Sequence, residues 1–409
     1  MRSNRWLIAA ASVVTHVCLG SVYAWSVFIP ALQRQTGWTK PQLTWAFSLA
    51  IACLGLTAAL AAPLMHRLGP RVTVGWSALF FGIGLLGAGL AVQFQALWLL
   101  YACYGVIGGI GLGLGYVPPV TTLMRWFADR KGFATGLAVG GFGLGALLAS
   151  FLGEALLHHV SSARAFGLLG LGYGALILCA SRLLALPEDG SRTTAAPTPA
   201  TSPFAELRFW LLWSVFFVNI ATGILLIALA RPMLEEASQG VVPLVSAVAA
   251  VALMGLFNGL GRLGWSSLSD RLGRTVTWGI MFVVQGAVFL LLRGGASPGT
   301  LAIGLWIIAS CYGGGFALCP ALVADTFGSH RAPRLYGLAL TAWSAAALLS
   351  PPLAAWMREA FGSYTAILGA CAGASLLGLL LVAVLRQARQ PEELAEELSE
   401  TITRTTAAR

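Results

Sequence analysis

Charged residues cut this chain into long uncharged runs, and the lengths of those runs predict its architecture. Residues 6–33, 41–66, 72–124, 132–153, 165–181, 209–230, 237–261, 275–292, 294–324, 335–357 and 360–385 carry no Asp, Glu, Lys or Arg. A helix needs about 20 apolar residues to cross a bilayer, so most runs predict one span each. Run 72–124 is long enough for two and is broken at Gln93-Phe94-Gln95. Twelve spans are predicted, near 6–32, 42–66, 72–93, 96–122, 132–155, 164–184, 208–230, 241–268, 275–293, 299–323, 335–357 and 363–386. The expected fold class is an all-α membrane protein of twelve transmembrane helices in two six-helix halves.

Composition strengthens that reading. Of the 409 residues, 57% are hydrophobic and 10% charged, against about 25% charged in a soluble domain. So apolar a surface suits lipid, and the short loops leave no room for a separate soluble domain. The first run continues to about Leu32 without an early small-residue cleavage site, so it reads as a retained span. The net charge of +10 is no nucleic-acid signal, because its distribution follows the membrane. With the N-terminus inside, 18 of the 25 Lys and Arg fall in the tails, the central loop and the turns after even-numbered spans, and six fall in outer loops. That bias predicts a multi-pass protein of the cell (inner) membrane with both termini cytoplasmic. The seven cysteines lie in apolar stretches without a CxxC pair. Neither a disulfide framework nor a metal site is read from them, and no cofactor is expected.

Residues 187–206 are rich in Pro, Ser and Thr and read as a flexible linker. The expected organisation is an N-terminal six-helix half at 1–186, a cytoplasmic linker at 187–207, a C-terminal six-helix half at 208–386 and a cytoplasmic tail at 387–409. The halves echo each other. Leu68-Gly69-Pro70-Arg71 after span 2 answers Leu272-Gly273-Arg274 after span 8, and Gly136-Leu137-Ala138 follows Pro119 by 17 residues as Gly337-Leu338-Ala339 follows Pro320. A parallel repeat of this kind points to a transporter that rocks about a midplane site.

One basic residue has no place in a loop. Arg262 lies within span 8, eight residues before Asp270, and so on the order of 10 Å into the membrane at about 1.5 Å per residue. An arginine near a helix centre costs roughly 2.5–3.5 kcal/mol on insertion scales and faces a cavity or a partner. No acid lies within one turn of it. That favours a guanidinium awaiting an anionic substrate over one that snorkels to the interface. Its planar fork matches a carboxylate with two parallel hydrogen bonds. Asn258, four residues earlier, shares its face and either holds the arginine, contacts substrate or bonds a neighbouring helix.

Four stretches carry a family resemblance: GLGLGYVPPV (Gly111 to Val120), RWFADRKGFATGLAVGGFGLGA (Arg125 to Ala146), FNGLGRLGWSSLSDRLGR (Phe257 to Arg274) and CYGGGFALCPALVADTFG (Cys311 to Gly328). They resemble the oxalate/formate antiporter branch of the major facilitator superfamily, close to the monocarboxylate (L-lactate, pyruvate) transporters. The resemblance implies that Arg262 is the eighth-span arginine that binds carboxylate, and that Tyr23, Tyr116, Tyr312 and Phe316 line the cavity. Such tyrosines give a small hydroxy- or keto-acid an apolar wall and one donor. Asn258 stands where many animal-type members carry an aspartate. One departure bears on substrate: where oxalate antiporters carry a span-11 lysine, this chain has Trp343 in LTAWS. One cavity cation suits a monocarboxylate better than a dicarboxylate. By the same resemblance, the loop residues Arg71, Asp270, Arg271 and Arg274 read as gating latches.

The expected function is secondary transport of a small monocarboxylate such as L-lactate or pyruvate, by proton symport with alternating access, in a monomeric protein. Its partners are the anion, a proton and the lipid bilayer. Glu235 and Glu236, at the outer end of span 7, are proton-coupling candidates on condition of partial burial, and otherwise an exposed loop pair. His16 in span 1 is another, although a lone intramembrane histidine more simply bonds a neighbouring helix. The alternatives are an organic anion exchanger of the oxalate/formate kind and a carboxylate sensor that moves nothing. The spans hold no paired carboxylates, metal cluster or nucleophile constellation, so no enzyme is read.

Overall fold

The computed structural model describes residues 4–187, 204, 206–238, 244–328 and 331–407. Among these residues the chain is helix joined by short turns. Inside a bilayer, helices satisfy every backbone N–H and C=O within the segment itself. The helices are α1 (Arg5–Thr36), α2 (40–68), α3 (70–93), α4 (Leu97–Trp126), α5 (Lys131–His159), α6 (Ser162–Leu183), α7 (Leu207–Ala237), α8 (Leu244–Leu272), α9 (Arg274–Arg293), α10 (Pro298–Phe327), α11 (Ala332–Phe361) and α12 (Tyr364–Ala407). Eleven of them are long and apolar enough to cross a membrane in their described residues. The remaining one, α8, carries Asn258, Arg262 and four serines.

Local chemistry sets the boundaries. Asn4 caps α1 by accepting the Trp6 N–H at 2.9 Å, and Thr39 and Gln42 form a reciprocal capping box ahead of α2. The run Lys40–Gln93 breaks at Gly69, with φ 76° and ψ 170°; Gly273 ends α8 with φ 87° and ψ 152°. Only glycine enters that region without strain. The two copies of the Leu-Gly motif are therefore the same backbone turn. The break expected at Gln93 to Gln95 is the turn from α3 to α4, with Gln95 at φ 52°. Most of the linker read at 187–207 lies outside the described residues. The tail continues α12 as helix to Ala407.

An even number of antiparallel helices returns the chain to the side on which it began, here called the terminal side. Two seams between the first six helices and the last six frame the site among the described residues. In one, α5 packs on α8 through small residues. A Cβ on Gly136 would overlap Ser266 and lie 2.8 Å from the Arg262 carbonyl oxygen, and one on Gly143 would lie 2.9 Å from Gly259 Cα. In the other, Ser344 Oγ on α11 donates to the Ala52 carbonyl of α2 at 3.0 Å, with Gly55 packed beneath Ser344. The candidate site lies between the seams.

Candidate functional site

Helix α8 presents Asn258 and Arg262 to α5 and α10. Arg262 has no exposed surface (0%), and Asn258 is buried. Arg262 Nε donates to Asn258 Oδ1 one turn away at 3.0 Å, while Asn258 Nδ2 reaches the Ala309 carbonyl of α10 at 3.5 Å. Arg262 Nη1 crosses to α5 and donates to the Val139 carbonyl at 3.0 Å. Its Cζ stands 4.9 Å from the ring centre of Phe316 and 5.5 Å from that of Phe142. These contacts stabilise a desolvated cation through the rings' quadrupoles. They do not neutralise it. Among the described residues no acid meets the guanidinium, and its buried Nη2 has no hydrogen-bond partner.

An aromatic cage surrounds this cation. Trp343 of α11 is almost wholly buried, its ring centre 4.7 Å from Phe316, 5.6 Å from Tyr116, 5.9 Å from Phe142 and 6.1 Å from Tyr23. The Tyr23 and Tyr312 hydroxyls meet at 3.0 Å, tying α1 to α10. Tyr336 lies 6.4 Å from Tyr116 and His16 stands edge-on to Tyr116 at 5.2 Å. The seven residues singled out as substrate ligands (Tyr23, Tyr116, Asn258, Arg262, Tyr312, Phe316 and Trp343) thus form one contiguous cluster where the two sets of helices meet. Five buried polar atoms here make no hydrogen bond of normal geometry, although the Tyr116 hydroxyl faces both Arg262 and Tyr336: Arg262 Nη2, Tyr116 OH, Tyr336 OH, Trp343 Nε1 and His16 Nε2. Protein interiors leave few polar groups unpaired, so such a concentration around one cation is what a polar ligand would satisfy.

Glu235 and Glu236 are exposed, as in the reading of them as a surface pair, but they lie on α7, which extends to Ala237, rather than in a loop. Glu236 Oε2 is paired with Arg358 Nη2 at 2.6 Å. His16 is buried, and its one hydrogen bond of normal geometry runs within its own helix, Nδ1 to the Ser12 carbonyl at 3.1 Å, with the Tyr116 carbonyl of α4 also facing the ring. The i−4 carbonyl is simply the nearest acceptor on the same face.

Helices α5 and α8 meet again at the terminal side. Asp270 accepts the Gly132 and Phe133 N–H groups at 2.9 Å each. These are the first free donors of α5, where the helix dipole favours a carboxylate. Arg274 pairs with Asp270 at 2.7 Å and with Asp325 of α10 at 3.0 Å, and Lys131 reaches Asp325 at 3.0 Å. Arg71 and Arg271, expected in the same latch, are exposed and stand outside this cluster.

The reading of the sequence missed Phe142, Tyr336, the Val139 carbonyl, Lys131 and Asp325. Phe142 had a visible signal, a bulky ring within GLAVGGFGLGA, and Tyr336 lies seven residues before Trp343. A backbone carbonyl carries no sequence signal at all.

Comparison with known proteins agrees with the fold. The chain is 28% identical to the oxalate:formate antiporter of Oxalobacter formigenes, over 89% of this chain and 88% of that protein. It is 24% identical to monocarboxylate transporter 12 of Rattus norvegicus, over 94% and 86%. Among solved structures, the transporter FucP in its outward conformation superposes with a TM-score of 0.73 at 14% identity, covering 93% of this chain and 99% of that one. The Major Facilitator Superfamily model matches residues 11–292 and 211–408. Twelve long helices among the described residues, a repeated Leu-Gly turn and this match together make the chain a member of the Major Facilitator Superfamily, a membrane transporter.

Proposed function

We propose that the protein carries a small monocarboxylate such as L-lactate or pyruvate across the cell membrane, by alternating access coupled to a proton. The observation that carries this reading is Arg262: a fully buried guanidinium without an acid partner among the described residues, one arm of its fork unpartnered, inside a cage of further unpartnered polar atoms. A carboxylate meets that demand. At about 4 Å the pair is worth about 4 kcal/mol at an effective dielectric of 20, before desolvation. That is strong enough to bind and weak enough to release. The cage holds one cation, and the indole of Trp343 stands beside it, which suits one carboxylate and leaves a second without a partner. The two relatives, an oxalate:formate antiporter and a monocarboxylate transporter by name, support a carboxylate cargo.

The halves 1–186 and 208–386 rock about this cage in our reading. The terminal side is cytoplasmic, as the Lys and Arg distribution favours. Glu235 and Glu236 stand at the outer rim, where an entering proton is first met, and His16 stands beside the cage. The test is uptake into proteoliposomes. Labelled L-lactate should accumulate under an inward proton gradient, and Arg262→Ala should abolish uptake without loss of expression. Undiminished uptake by Arg262→Ala would refute the site. Counterflow indifferent to pH would replace symport with exchange, as in the antiporter relative.

A further inference from the structure

His16 is the buried polar group beside the cage that the carboxylate reading leaves unused. Its ring is fully buried, lies edge-on to Tyr116 of α4 and has its Cβ 3.2 Å from where a Cβ on Gly141 of α5 would sit, one residue before Phe142. Two backbone carbonyls face the ring, those of Ser12 and Tyr116, and only that of Ser12 makes a hydrogen bond with it. A carbonyl oxygen only accepts, so the 3.1 Å contact to Ser12 requires the proton on Nδ1. In the neutral ring, Nε2 is then a lone pair, and it has no partner.

The five unpartnered atoms therefore differ in kind. Arg262 Nη2 and Trp343 Nε1 can only donate, and the Tyr116 and Tyr336 hydroxyls can do either. His16 Nε2 can only accept. A 2-oxo acid brings acceptors alone and leaves Nε2 buried and unmet. A 2-hydroxy acid brings the same carboxylate plus one O–H donor, and so can complete the set. Sites built to hydrogen-bond a substrate hydroxyl discriminate strongly against the analogue lacking it, because their own polar group is stranded.

We infer that His16 is a specificity-determining residue: its Nε2 accepts from a hydroxyl on the carbon next to the carboxylate, and the preferred cargo is a short 2-hydroxy acid over the matching 2-oxo acid. The inference rests on carboxylate binding at Arg262 and names the substrate class of that site.

The experiment measures binding to the purified full-length protein by thermal stabilisation, titrating L-lactate, pyruvate and propionate, which has no 2-substituent. The expected result is lactate binding about 10-fold more tightly than pyruvate or propionate, the discrimination of one lost hydrogen bond. His16→Leu should reduce lactate to the pyruvate level and leave pyruvate affinity unchanged. His16→Gln, whose Oε1 can accept near the position of Nε2, should keep part of the preference. Equal binding of lactate and pyruvate to the wild-type protein overturns the inference while leaving the carboxylate site standing. A pyruvate preference also overturns it, because Nε2 must then donate. A lactate preference retained in His16→Leu moves the hydroxyl contact elsewhere and overturns it too. Failure of all three acids to bind sinks the carboxylate reading itself. The wild-type comparison decides even where a variant does not fold.

Discussion

Helices α5 and α8 are joined at two places, and the two junctions use charge in opposite ways. At the terminal side, Asp270 accepts two N–H groups of α5 and pairs with Arg274, and Asp325 pairs with Arg274 and Lys131. Every charge there is answered. Eight residues up α8, Arg262 reaches α5 through one neutral carbonyl, at Val139, and keeps Nη2 unpartnered. Residues on the same helix, facing the same partner helix, thus build a closed junction and an open one. The balanced junction can hold the halves together and then part, because its groups are near solvent and can rehydrate. The unbalanced one is buried and can be completed only by something that enters. A transporter needs both.

The largest effect should come from breaking the open junction. Arg262→Ala should lower L-lactate affinity at least 100-fold, and Arg262→Lys, which keeps the charge without the fork, at least 10-fold, both read as loss of lactate-induced thermal stabilisation. A Lys variant that binds as well as the wild type would show that fork geometry is irrelevant.

Next is the seam between the junctions. Gly136→Leu places bulk against Ser266 and the Arg262 carbonyl, where even a Cβ has no room. It should hold the terminal side apart, reducing transport more than 10-fold while the protein remains folded by its melting curve. Labelling of a cysteine introduced at Ser266 from the terminal side should rise in parallel.

Breaking the balanced junction should do less. Asp270→Asn keeps a hydrogen-bond acceptor and removes the charge at the α5 N-terminus and the pair with Arg274. The expected loss is about 1–2 kcal/mol of closure, a shift of roughly 5- to 30-fold in the open population, measured by the same labelling. No change in labelling would mean the latch does not set the equilibrium. In the cage, Trp343→Phe keeps the ring and deletes Nε1. It should weaken lactate about 3- to 10-fold, the share of one hydrogen bond. The smallest effect belongs to Glu236→Gln, which breaks the exposed pair with Arg358 at the far rim. Its melting temperature should hardly move, since exposed pairs contribute about 0–1 kcal/mol. Lactate affinity should be unchanged, and loss of proton-driven uptake with intact binding would mark Glu236 as the proton's entry point.

The cage was partly legible before the fold was known, and the latch less so. Arg262 stood out because a charge within an apolar run is costly and therefore noticed, and Asn258 followed from helical spacing. The aromatics came through family resemblance, since a tyrosine in a span looks the same whether it faces a cavity, a helix or lipid. Asp325 and Lys131 gave no sign that they would meet Arg274, because they approach from α10 and α5, far away in sequence. Glu235 and Glu236 could be read as a half-buried or an exposed pair, and the structure exposes them on the outward face of α7 while Met233 and Leu234 beside them enter the core.

The amino-acid sequence by itself determined the spans, the repeat and the singular arginine. Each of these depends on local cost: apolar length against bilayer thickness, a glycine where φ must be positive, a charge where water is absent. Only the tertiary structure decided which faces of α1, α4, α5, α8, α10 and α11 turn toward one another, and with that which polar atoms are left unpaired. The physical reason is that membrane helices are apolar on every side. Their rotation is set by small-residue packing between distant segments rather than by a hydrophobic face readable along the chain.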